Sequence, residues 1–192
     1  NEALRADLER DARSSGDWAL WNEAAALMVR QRFPRGGHGV ARRRALHLLE
    51  AGPSCLGDAV AELGEAAWGD VAANEFRPAL ATVERRELAL AELGAGPSDP
   101  RWGECMLVRC GVLVHLGDHL RGLDEARRAE VEACRYGWNN VLARALGQQA
   151  VIALESGDSD EAIERWDEAL RLCSSRDVET RARLLWYLAE MR

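Results

Sequence analysis

The chain has 192 residues, a net charge of −7 and 25 cationic side chains, all of them Arg, so the lysine-dependent mechanisms (a Walker phosphate loop, a Schiff base, the kinase ATP lysine, a Ser–Lys nucleophile) are excluded. No apolar run approaches the roughly 18 residues of a membrane span, and the opening NEALRADLERD has neither the basic nor the apolar region of a signal peptide. No segment is basic: residues 39–90 carry 6 Arg against 8 acids and residues 101–192 carry 13 against 16, which argues against direct contact with nucleic acid through its phosphates.

Ala and Leu number 32 and 26, against 12 Val, 2 Ile and 2 Thr, a balance that favours helix over strand. Apolar periodicity and turn residues predict helices over about 2–14, 17–33, 39–51, 57–67, 72–94, 101–116, 119–136, 138–156, 159–173 and 177–191. Two segments break the pattern. Residues 33–39 combine Pro34 with three Gly, and residues 94–100 hold two Gly and two Pro, so 34–39 and 94–100 are the possible hinges. The amphipathic flanking helices would expose apolar faces if separated, which favours a single domain over 1–192. The chain begins at Asn1 rather than Met, and the expectation is a piece of something longer.

An internal repeat is the strongest signal. Val114–Ala129 aligns with Leu154–Ala169, setting Gly117 on Gly157, Asp118 on Asp158, Gly122 on Ala162 and Ala129 on Ala169 with a period of 40. Small residues at such positions let two helices approach closely, and the large ones fill the neighbouring hairpin.

The pattern Gly157-Asp-x-x-x-Ala162-Ile-x-x-Trp166-x-x-Ala169-Leu170 resembles the second-helix half of a tetratricopeptide repeat. Leu146, Ala150 and Ala153 stand where that family places its first-helix packing residues, and Met106, Cys110 and Leu113 take those places in the earlier copy. The clearest repeats are 101–136 and 138–174, and Gly16-Asp17 and Gly57-Asp58 are expected to begin helices in the same way. The period exceeds the family's usual ~34 residues, so longer helices are expected. The resemblance implies an all-α fold of antiparallel helical hairpins stacked into a right-handed superhelix. Its first helices would line a concave face that binds a protein or peptide segment.

Carried over to the matched repeats, the exposed first-helix positions would be Glu104, Leu107, Gly111, Val114 and His115, then Arg144, Gly147, Gln148, Val151 and Glu155. Of these, Glu104, Leu107, His115, Arg144, Gln148, Val151 and Glu155 are the candidate partner-binding residues. With few cations the face should prefer a basic or neutral polar segment to an acidic one. Divergent repeats of this kind also resemble those of large actinobacterial transcriptional regulators, which makes a ligand- or signal-peptide-sensing domain of such a regulator the alternative function.

Candidate chemistry is sparse, and the expectation is a protein that is not an enzyme and needs no cofactor or metal. Cys105-x4-Cys110-x4-His115-x3-His119 has zinc-ligand residue types, but residues five apart on one helix point about 140° away from each other. Five free thiols fit a reducing cytoplasm. Residues 45–64 resemble the first two helices of a helix-turn-helix, whose recognition helix around 72–86 would carry Arg77, Arg85 and Arg86 against Glu75 and Glu84. Most of the seven Trp should lie in the core, with Trp18 and Trp21 on one apolar face. The terminal helices 2–14 and 177–191 should expose Leu4, Leu8, Leu185 and Leu188 and could support a homodimer.

Overall fold

The computed structural model describes residues 2–37 and 39–191, with side chains from residue 6 onward. Among these residues there are ten α-helices and no strand: α1 Glu2–Ser15, α2 Trp18–Arg32, α3 Val40–Ala51, α4 Leu56–Ala72, α5 Phe76–Glu92, α6 Arg101–His115, α7 His119–Tyr136, α8 Asn139–Glu155, α9 Ser159–Leu172 and α10 Val178–Met191. No helix among the described residues is long and apolar enough to cross a membrane. The chain forms two compact units, Asn1–Ala95 and Gly96–Arg192, whose division falls inside the Gly- and Pro-rich 94–100 segment.

In the first unit α2, α3, α4 and α5 pack in sequence, each against the next. The loop after α2 turns the chain back on itself. Trp18 Nε1 donates to Glu50 Oε2 at 2.8 Å and His47 Nδ1 lies 2.9 Å from Asn22 Oδ1, so α2 and α3 run antiparallel. A short 3-10 turn, Pro53–Cys55, leads into α4. Gly57 and Asp58 therefore lie inside the first turn of α4 and do not form the turn before a helix. α4 continues through Gly69, past the expected end at 67, because Asp70 and Val71 are buried. It stops where Asn74 adopts φ 60° and Glu75 N donates back to Asp70 O at 2.8 Å, a left-handed helix end that Asn tolerates better than most residues.

In the second unit the two aligned copies have the same local construction. Gly117 and Gly157 take positive φ, 78° and 88°, and Asp118 N and Asp158 N each donate at 2.9 Å to a carbonyl five residues back. Only a residue free of a Cβ closes such a turn without strain. The Asp side chains then cap the next helix, accepting from Arg121 N at 3.3 Å and from Glu161 N at 3.0 Å. α6 pairs with α7 and α8 with α9.

The aligned small residues sit at the helix contacts. A Cβ on Gly122 would lie 3.1 Å from Val114 Cγ2, and Ala162 is fully buried. Trp166 is also fully buried and stacks on Tyr187 with ring centroids 4.8 Å apart. Leu146, Ala150, Leu184 and Leu188 complete that core. Leu188 was expected at the surface but is only 4% exposed, because α10 turns it onto α9. Leu185, at 47%, does face solvent, as does Leu8, also at 47%; the Leu4 side chain lies outside the described residues. Trp21 and Trp186, expected in the core, are 53% and 58% exposed.

Gly122→Trp or Ala162→Trp should overpack these contacts and cost ~1–3 kcal/mol or more, read as a lower denaturation midpoint. A parent-like midpoint for either would show that the repeat alignment is wrong.

Candidate partner-binding surfaces

α6 and α8, the first helices of the two aligned copies, lie side by side. A Cβ on Gly103 would lie 2.7 Å from Val141 Cγ1, and Cys110 Sγ approaches Gln148 Oε1 at 4.0 Å. The contacts rise along both helices together, so α6 and α8 run parallel. Further along α8, Gly147 leaves room for Leu184 of α10, whose Cδ2 would lie 3.4 Å from a Cβ there. Three alternate helices of this unit therefore adjoin in chain order.

This arrangement sorts the sequence-predicted positions. Leu107 is fully buried, not exposed. It lies one turn beyond Gly103, the residue that meets Val141 of α8. Gly111 and Val114 are buried with it. Glu104, Arg144, Gln148 and Val151 are half-buried, and His115 and Glu155 are exposed. Glu104 and Arg144 come close enough to interact: burial lowers the Arg144 guanidinium from its ordinary pKa, Glu104 opposes that shift, and Arg183, Asp177 and Glu179 act on it as well. Glu155 Oε2 lies 3.0 Å from His119 Nδ1, joining the end of α8 to the start of α7.

The thiols and imidazoles of this unit do not converge. Cys105 and Cys110 are both fully buried, and Cys110 packs among Val114, Ala126 and Ile152. Burial, with Glu125 nearby, pushes its thiol up to about 12. Such a group stays protonated near neutral pH and neither attacks nor binds metal readily.

The first unit holds charged groups to which sequence reasoning assigned no interior role. Asp70 of α4 is 1% exposed. It pairs with Arg42 of α3 and accepts from Thr82 Oγ1 of α5 at 3.2 Å. Arg42 also lies 3.6 Å from Glu75. Arg44 of α3 meets Glu62 of α4 at 2.6 Å, and burial raises the Glu62 carboxyl above the usual range with Arg44 opposing. Arg86 of α5 is 4% exposed and donates from Nε to Val60 O at 3.1 Å. Its guanidinium occupies the space over Gly64, where a Cβ would lie 2.8 Å from Cζ. Arg86 is thus built into the interior and cannot serve a groove-reading helix. The sequence signal for this network is positional, since Thr82 and Arg86 share one helical face with Ala79, Val83 and Leu90.

A cavity of about 400 Å³ opens along α2. Leu20, Leu27 and Leu48 supply apolar wall, and Glu23, Arg30 and Asp58 supply charge of both signs. Comparison with protein-family models and with curated proteins found no match for this chain.

A thiol reagent applied to the native chain at pH 8 should modify Cys134, the exposed cysteine, well before Cys105 or Cys110. Mass spectrometry of timed samples reads this directly. Equal early labelling of Cys110 would show that α6 is not packed as described.

Proposed function

We propose that the chain is a non-enzymatic helical repeat module that binds a protein or peptide segment, as the interaction part of a larger bacterial regulatory protein. The observation that supports this most is the parallel, side-by-side placement of α6 and α8, with Gly103 against Val141 and Cys110 beside Gln148. Stacking through first helices is how tetratricopeptide-like hairpins build a superhelix, and it leaves one face of those helices free for an extended or helical segment. On that face Glu104, Arg144, Gln148, Val151 and Glu155 offer two carboxylates, one guanidinium, one amide and one apolar contact. His115, exposed, is the last residue of α6. The half-buried positions give a peptide apolar and amide contact, and the carboxylates select against an acidic one.

Probing a peptide array of graded charge with the purified chain tests this reading. Basic and neutral polar peptides should be retained over acidic ones. Gln148→Ala and Glu155→Arg should each weaken the best binder by about fivefold, a change of ~1 kcal/mol. Retention indifferent to both variants, or a preference for acidic peptides, would overturn it.

A further inference from the structure

The outer face of α2 is an apolar stripe that its own unit leaves uncovered. Leu20, Trp21, Leu27 and Met28 are 65%, 53%, 54% and 62% exposed, whereas Asn22 and Ala26 on the opposite face are buried. Written as heptads, Leu20 and Leu27 take the d positions with Ala24 at the intervening a position, Trp21 and Met28 take e, and Glu23 and Arg30 take g. Leu20, Glu23, Ala24, Leu27 and Arg30 also line the cavity of about 400 Å³. The groove beside α2 therefore has room for the side chains of a helix lying along it.

The charges select the occupant. Glu23 and Arg30 are exposed, opposite in sign and one heptad apart at the same position. When two copies of one helix pack antiparallel about a twofold axis, g faces g and e faces e. Glu23 of each copy then meets Arg30 of the other, twice by symmetry, and Trp21 meets Met28. A parallel pairing would set g against e of the next heptad, Glu23 against Met28 and Arg30 past the end of α2, and would form no ion pair. A small molecule held within the cavity would leave Trp21 and Met28, which do not line it, in water.

We propose that the chain self-associates through antiparallel pairing of α2, with α2 and α3 of the two copies forming a four-helix arrangement.

Sedimentation of the full chain over a range of concentrations tests the proposal. The parent should show a concentration-dependent dimer, and Leu27→Glu should be monomeric. Glu23→Arg alone, or Arg30→Glu alone, sets like charges opposite each other and should weaken the dimer roughly tenfold. The double variant Glu23→Arg/Arg30→Glu restores opposite pairs and should return towards the parent. All these positions are exposed, so a parent-like thermal midpoint for the monomeric form is expected throughout. A parent that stays monomeric, a dimer indifferent to Leu27→Glu, or a double variant no tighter than the single ones would overturn the proposal.

Discussion

Where α7 crosses α6, the place of a side chain at Gly122 is taken by Val114, 3.1 Å from where a Cβ would stand. At the aligned place between α8 and α9 stands Ala162, fully buried. Close approach at these points lets the larger side chains of each pair interdigitate, since packing density falls quickly once helices are held apart. The Trp166 and Tyr187 stack, and with it the seating of α10, follows from that approach. Among its described residues the second unit has no strand and no disulfide, so side-chain fit of this kind carries its order.

The first unit reaches the same end by different means. Its α3, α4 and α5 are joined by Arg42 to Asp70, Thr82 to Asp70, Arg44 to Glu62 and Arg86 to the Val60 carbonyl. Charges taken out of water carry a large desolvation cost, which is offset only when partners and hydrogen bonds are well placed. Such pairs contribute little net stability compared with apolar packing, but a helix shifted by one residue would leave a charge buried and alone. They therefore fix register, whereas the small-residue contacts of the second unit fix distance.

Much of the second unit was legible in the sequence because Gly, Asp and small residues recur with a defined spacing, and each has a direct backbone or packing consequence. The helix boundaries there fall close to the expected ones. Leu107 was misplaced for a physical reason: periodicity shows that a residue lies on an apolar stripe but does not say whether the stripe faces solvent or the next hairpin. The resemblance ranked it as open, whereas it is fully buried. In the first unit, Asp70 was not singled out, and Arg86 was placed on a candidate recognition helix although it shares a face with Val83 and Leu90. Trp21 and Trp186 erred in the other direction, because aromatic size alone suggests a core position. The end of α4 was missed since Asn74, not Gly, takes the left-handed conformation.

The paired turns at Gly117-Asp118 and Gly157-Asp158 also bear on how the chain could have arisen. Each closes one helix with a backbone bond and opens the next with a carboxylate cap, using only partners within five residues of the Asp. A 40-residue stretch cut from one turn to the next carries a complete helix start and a complete helix end. Duplication of such a stretch adds a folded hairpin without creating an uncapped terminus, and its loss removes one cleanly. The number of hairpins is therefore open to heritable change in whole steps while the existing junctions stay intact.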